Sequence, residues 1–342
     1  LLVLLLALAA CNAPGSGRQK IPESFPPMLV PADNPTTNAG IALGRMLFYD
    51  PILSADSTVS CSSCHKQQYA FADAARFSAG IDGQLGVRNA PSLANVGFYR
   101  KGLFWDGRAA GLEEQSLHPI SSAGEMGSDW PSVISRLNQN SQYQKAFRRA
   151  FGDKPITPQR IARALAQFER QLVSYRSRYD QFVAGKVAFN EQELRGLSIF
   201  FDASPTLPNG ECSHCHADPL FTNHAYHNGG VEAVTDLEDL KDPGRAAFTG
   251  KYYDRGRFRV PSLRNLGFTS PYMHNGQFAD LFEVLQHYNN GGNPQVNVSP
   301  NIRSLHLSQR DKEDLLAFLK TLDDESLITE PKLSNPFEDH EE

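Results

Sequence analysis

The chain is short of the residues that would open several common readings. Its 342 residues include two tryptophans, four methionines and five cysteines. No apolar run reaches the ~20 residues that a membrane-spanning helix needs; the longest, residues 1–10, falls well short. Positive charge is not in excess: the formal net charge is −5, which removes the electrostatic footprint of a nucleic-acid partner. Another shortage is local. Residues 66–117 contain neither histidine nor methionine, so that stretch offers no imidazole or thioether to a metal. Glycine and proline, by contrast, are plentiful at 26 and 22, a composition that suits short helices joined by long loops.

The scarce cysteines are almost all committed. Four lie in Cys61-Ser62-Ser63-Cys64-His65 and Cys212-Ser213-His214-Cys215-His216. Two thiols three positions apart can each add to a vinyl group of one haem, and the histidine that follows can sit under the iron as its axial ligand. Two copies predict two covalent haem c groups. Two Cys-x-x-Cys pairs could also bind one zinc through four thiolates, or close two local disulfides. Neither alternative explains why a histidine follows each pair directly.

The fifth cysteine is Cys11. It ends residues 1–11, an apolar segment that begins without Met, and Leu8-Ala9-Ala10-Cys11 resembles a bacterial lipobox. The alternative is a plain signal peptide with a cleavage site nearby. Either one exports the protein, which predicts a periplasmic location, with membrane contact only through a lipid on Cys11. Residues 12–38, rich in Pro, Gly and Ser at their start, read as a tether.

The remaining sequence is self-similar. Leu43-Gly44-Arg45-Met46-Leu47-Phe48-Tyr49-Asp50 echoes Arg195-Gly196-Leu197-Ser198-Ile199-Phe200-Phe201-Asp202. Ala90-Pro91-Ser92-Leu93-Ala94-Asn95 echoes Val260-Pro261-Ser262-Leu263-Arg264-Asn265. Trp105-Asp106-Gly107-Arg108 aligns with His274-Asn275-Gly276-Gln277, and Leu112 with Leu281. The pattern predicts a mainly α fold of two cytochrome-c-like haem domains with long loops, related by internal duplication. Residues 39–185 form the first, 186–330 the second, and 331–342 an acidic tail. Between the motifs, Ile161, Leu165, Phe168 and Leu172 predict one amphipathic helix over 158–182. Leu315, Leu316, Phe318 and Leu319 predict a capped helix over 308–322.

The alignment also predicts an asymmetry. The second unit offers Met273, His274, His287 and Tyr288 as further iron ligands. With His274 laid over Trp105, Tyr288 falls on Pro119, which has no donor. If Tyr288 closes the second iron, the matching place on the first is open, unless the neighbouring His118 swings in.

With these motifs in hand, the chain from Gly40 to Leu322 resembles the bacterial dihaem cytochrome c peroxidase and MauG family. The resemblance rests on the two haem motifs and on Arg88-Asn89-Ala90-Pro91-Ser92, Leu103-Phe104-Trp105-Asp106-Gly107-Arg108, Leu112-Glu113-Glu114-Gln115, Glu125-Met126-Gly127 and Pro271-Tyr272-Met273-His274-Asn275-Gly276. It implies that the first haem reacts with hydrogen peroxide. It implies that Trp105 relays electrons between the haems, that Glu125 is the distal acid–base group and that Gln115 is a distal polar residue. It also implies a calcium ion between the domains, held by Asn89, Thr269 and Pro271. Two departures from ordinary dihaem peroxidases, the absent histidine in 66–88 and Tyr288 in the place of a methionine, resemble the MauG branch, including its relatives associated with methanobactin clusters. That branch implies a bis-Fe(IV) state across both haems and oxidation of a Trp or Tyr on an exported partner protein. The rival readings are a peroxidase fed by a small cytochrome or copper protein, and a non-enzymatic dihaem electron carrier. His224, His227 and His274 receive no separate roles.

Overall fold

A computed structural model describes residues 21–338. Residues 1–20, where the predicted signal segment, Cys11 and the start of the predicted tether fall, and residues 339–342 lie outside the described residues. The described chain is helical, with long connections. Around the first motif stand α1 (Asn38–Tyr49), α2 (Cys61–Cys64), α3 (Leu112–Gln115), α4 (Leu117–Ser121), α5 (Trp130–Gln139), α6 (Ser141–Phe151) and α7 (Pro158–Glu169). Then follow α8 (Arg178–Val183), α9 (Glu191–Phe200), α10 (Ala246–Thr249), α11 (Leu281–Asn289), α12 (Gln309–Lys320) and α13 (Glu325–Thr329). The described strands, β1 (Tyr226–His227) and β2 (Phe258–Arg259), pair antiparallel. Among the described residues no helix is long and apolar enough to cross a membrane.

Two apolar cores carry the two motifs. Leu43, Leu47, Phe48, Phe71, Leu165 and Phe168 pack in the first, with Cys61 against them. Ile199, Phe200, Phe221, Leu315 and Phe318 pack in the second, with Cys212 against them. Each core rests on a tight helix crossing made possible by a glycine. A Cβ at Gly44 of α1 would lie 1.9 Å from the Ala164 carbonyl of α7, and one at Gly196 of α9 would lie 2.0 Å from the Asp314 carbonyl of α12. Backbone cannot retreat as a flexible side chain can. Gly44→Ala and Gly196→Ala are therefore each expected to cost on the order of 1–3 kcal/mol or more by overpacking, read as a lower melting temperature of the holoprotein.

Local geometry recurs in the same way beyond the motifs. Ser92 Oγ donates to the Ala70 carbonyl at 2.6 Å, and Ser262 Oγ to the Leu220 carbonyl at 2.7 Å. Asn95 and Asn265 both adopt left-handed backbone, with φ of 61° and 67°, a conformation asparagine tolerates better than most residues. Their N–H groups reach the ends of the two bundles, at Leu172 (2.7 Å) and Leu322 (3.2 Å).

Three expectations need correction. The helix predicted over 158–182 is two helices, α7 and α8, separated by a bend. Side chains satisfy the bend's backbone in place of helical bonds. Asn95 accepts from Ser174 N at 3.0 Å and donates to Ser174 O at 3.1 Å, while Asp324 accepts from Tyr175 N and Arg176 N, each at 2.9 Å. Ser177 then caps a new helix. The tether is not free from Ile21 onward: Phe25 is buried against Phe98, Val173 and Leu220, and Asn34 is buried beside Gln167. The tail is not free at its start either. Leu327 and Leu333 complete the first core, Tyr49 Oη donates to Leu333 O at 2.6 Å, and Arg45 donates to Ser334 O and Pro331 O. The chain end thus returns to the first motif's bundle, which a boundary at residue 330 does not capture.

Candidate active site

Each motif histidine is oriented by its own loop. After His65 the chain turns through Ala70 and Phe71, both at positive φ (50° and 59°), and brings the Phe71 carbonyl back to within 2.9 Å of His65 Nδ1. His216 Nδ1 meets the Phe221 carbonyl at 3.1 Å, with Phe221 at φ 52°. A carbonyl only accepts, so Nδ1 carries the proton and Nε2 keeps its lone pair, as a metal-binding imidazole requires. Desolvation holds both histidines below their usual range, His216 at about 4, so both stay neutral. The thiols are unpaired and belong to different cores. The one described group of three or more His, Cys, Asp or Glu ligand atoms is Asp202, Glu211 and His214. Neither a four-thiolate zinc centre nor a disulfide pairing is present among the described residues.

Beside the first motif lies a cavity of about 350 Å³, within the ~300–1,000 Å³ of cofactor and ligand pockets. Cys61, Cys64 and His65 line it together with Trp105, Gln115, Pro119 and Glu125. The structure therefore gathers these residues around one space. Gln115 ends α3 and Pro119 lies within α4, so one nearly continuous helical path presents both. Apart from His65, the described lining holds no histidine; its one thioether, Met126, is buried in the first core. His118 is exposed, lies outside the lining and packs edge-on against Phe104, ring centres 5.6 Å apart.

Glu125 is an exposed residue on the cavity wall. The protein crowded around its carboxyl pushes that group above the ordinary carboxylate range, while Arg108 and His118 draw it back. Arg108 is itself fixed, paired to Asp106 at 2.8 Å and stacked 3.6 Å over the Phe104 ring. Trp105 is buried and lines the cavity. Its Nε1 donates to Asn89 O at 2.8 Å, and its carbonyl accepts from Arg259 N at 2.8 Å.

Tyr288 stands on α11 within the field of the second thiol pair. Burial, with Cys215 and Cys212 adding to it, pushes its phenol to about 12, so an ionised phenolate there needs a cation beside it. The backbone at Gly229 approaches closely enough that a Cβ would lie 3.4 Å from the Tyr288 hydroxyl. Of the other candidates, His287 is hydrogen-bonded elsewhere, while His274 keeps a buried Nε2 without a partner. His287 Nε2 donates to Gly229 O at 2.9 Å. His274 is buried, stacked on Phe258 at 3.6 Å, and feels Asp242 and Arg88.

Asn89 is buried and donates to Ala75 O and Arg76 O; Thr269 and Pro271 follow the Leu266–Phe268 turn. Among the described residues, no hydrogen bond joins Asn89 to either. His224 is buried with its ring 4.7 Å from that of Tyr99, and His227 is half-buried on β1.

Sequence reasoning missed Glu169. It ends α7, is 5 % exposed, lines the cavity and leaves Oε2 without a partner. The repeat held the signal: with Phe168 over Phe318, the second unit carries Leu319 where the first carries this acid. Burial raises its carboxyl to about 7, with Arg170 lowering and Glu113 raising it. A carboxyl raised on folding binds its proton more tightly in the folded state, so stability is full below about 4.5 and is lost as pH climbs to about 7. Glu169→Gln is expected to leave the melting temperature unchanged near pH 4.5 and to raise it at pH 8.

A family model described as di-haem cytochrome c peroxidase matches residues 38–188. Methylamine utilization protein MauG of Methylophilus methylotrophus is 34% identical over 317 residues, covering 92% of this chain and 90% of that protein. Cytochrome c551 peroxidase of Nitrosomonas europaea is 36% identical over 289 residues, 83% of this chain and 80% of that one. Among solved structures, a MauG-like protein associated with microbial copper homeostasis superposes with a TM-score of 0.84 at 36% identity, covering 94% of this chain and 99% of its own. The diheme peroxidase BthA of Burkholderia thailandensis gives 0.73 at 27% identity, covering 86% and 88%. The prealigned imidazoles and the thiol pairs fit two haem c groups, and the cavity adjoins the first of these sites. The electron-carrier reading gives way to an enzymatic one, since the relatives are peroxide-dependent oxidoreductases. This chain belongs to the dihaem cytochrome c peroxidase and MauG family.

Proposed function

We propose that the protein uses hydrogen peroxide to oxidise a tryptophan or tyrosine of an exported partner protein. One observation carries the reading: Pro119, without a donor, lines the first cavity, while its counterpart Tyr288 stands within the field of Cys212 and Cys215. Haem c held by Cys61, Cys64 and His65, and by Cys212, Cys215 and His216, would supply the redox chemistry with peroxide at the first site and store oxidising equivalents across both. Tyr288 would help hold the second haem, where an anionic phenolate favours high oxidation states.

The chain's own residues do the rest. Glu125 accepts a proton from peroxide in the cavity and returns it to the departing oxygen, which leaves as water. As a base it must be ionised, so this step quickens as pH rises through its raised pKa. Arg108 steadies the ionised form. Gln115 orients peroxide by hydrogen bonding. Trp105, buried and hydrogen-bonded to Asn89 and Arg259, relays electrons between the two haem sites.

The recurring geometry supports descent of residues 39–185 and 186–330 from one duplicated haem unit, with the chain end packed back on the first. Asn89, Thr269 and Pro271 would bind calcium through oxygen donors. Export to the periplasm, with or without a lipid on Cys11, suits covalent haem attachment. A second reading, reduction of peroxide by a small electron-donor protein, is favoured by the comparable identity to the Nitrosomonas peroxidase.

One experiment separates the readings. Holoenzyme, peroxide and the protein encoded beside it are mixed, and peptides are weighed. A mass change on a partner Trp or Tyr supports the proposal. Rapid turnover with a reduced cytochrome, and no mass change on the partner, overturns it.

A further inference from the structure

The two haem motifs differ in the residues that flank their cysteines. In the first, Ser60 and Ser63 bracket the turn: Ser60 N donates to Ser63 Oγ at 3.0 Å, and the two hydroxyls lie 3.4 Å apart. They cap α2 with each other. The matching positions in the second motif are Glu211 and His214, and no helix forms there. A self-contained hydroxyl cap has been exchanged for a carboxylate and an imidazole.

Those two side chains meet a third. The ligand atoms of Asp202, Glu211 and His214 all lie within 4.8 Å of one another. Glu211 Oε2 and His214 Nδ1 are 2.9 Å apart. Asp202 Oδ1 accepts from Gly210 N at 3.0 Å, which fixes its carboxylate at the end of α9. Arg303 pairs with the other oxygen of Glu211 and so turns Oε2 toward His214. Asp202 and Glu211 are half-buried and His214 is exposed, an arrangement open to solvent on one side.

We propose that Asp202, Glu211 and His214 form a binding site for a divalent first-row metal ion on the rim of the second haem motif, separate from both haem irons. Two carboxylate oxygens and one imidazole nitrogen, with a place left for water, suit zinc or its neighbours better than calcium, which takes oxygen ligands. Metal–ligand bonds of ~2.0–2.2 Å place tetrahedral ligands ~3.2–3.6 Å apart, a contraction that a rotation of exposed His214 supplies. The ion would tie the end of α9 to the haem-bearing turn, doing the work that the serine pair does in the first motif.

The test uses holoenzyme saturated with calcium and titrated calorimetrically with zinc chloride. The wild type is expected to bind one equivalent. Asp202→Asn and His214→Ser, the latter installing the first motif's residue, are expected to weaken binding at least tenfold while the haem absorption stays unchanged. Should His214→Ser disturb haem attachment, Asp202→Asn, which lies outside the motif, decides the matter. A wild type that takes up no zinc at millimolar concentration overturns the site, as does Asp202→Asn binding like the wild type.

Discussion

Replacing Glu125 by glutamine is expected to slow the reaction with hydrogen peroxide by about 10²–10⁴-fold, the ordinary worth of a placed acid–base group. The substitution keeps the shape of the side chain and removes its ability to hold a proton between the two oxygens. Nothing in the apolar core depends on Glu125, so haem content and melting temperature should stay close to wild type. The pH profile gives an independent check. Desolvation raises the Glu125 carboxyl, against the pull of Arg108 and His118; in the wild type the peroxide step should therefore accelerate as pH rises through that raised value. In Glu125→Gln the rise should vanish along with the rate. Stopped-flow mixing with peroxide across pH measures both. A variant that keeps the wild-type rate would assign proton transfer to another group in the cavity, such as Glu169, a buried acid on its wall.

Tyr288→Phe should act on the other centre. The ring stays and the packing of α11 with it; only the hydroxyl is lost. In its apolar setting the phenol ionises only when a cation compensates it, because burial and the neighbouring thiols push it to about 12. Removing that anion should change the absorption spectrum of the second haem. It should also raise the haem's midpoint potential by on the order of a tenth of a volt, well inside the ~0.8 V that axial ligands span. Oxidation of the partner should fall with it, while the first haem's reaction with peroxide persists. An unchanged second spectrum would remove Tyr288 from the coordination sphere. Glu125→Gln and Tyr288→Phe thus separate the reaction with peroxide from the storage of its oxidising power.

Much of this site could be read along the chain because it is encoded locally. A Cys-x-x-Cys-His motif needs no distant residue to declare itself, and a fixed offset between the units is enough to lay Tyr288 over Pro119. Gly44 and Gly196 fall at matching places in the repeat, although only the helix crossings, where a Cβ would lie 1.9 and 2.0 Å from a facing carbonyl oxygen, explain why nothing larger stands there. The false long helix over 158–182 has the opposite origin. Its apolar periodicity continues to Leu172, but Asn95 and Asp324, far away in sequence, take over the backbone bonds of the bend. Glu169 escaped notice because an acid at a helix end looks like surface until the cavity behind it is known.

The sequence by itself determined the chemistry on offer: two thiol pairs each followed by histidine, a stretch from 66 to 117 without an alternative imidazole or thioether, and a tyrosine set against a proline. These depend on residue identity and spacing alone. Tertiary structure decided which side chains share a space. It gathered Trp105, Gln115, Pro119 and Glu125 around one cavity, turned His118 outward, buried Glu169 and folded the chain end back onto the first bundle. Those outcomes depend on which apolar faces bury each other and on which distant side chains complete the backbone hydrogen bonds, and no single stretch of sequence carries that information.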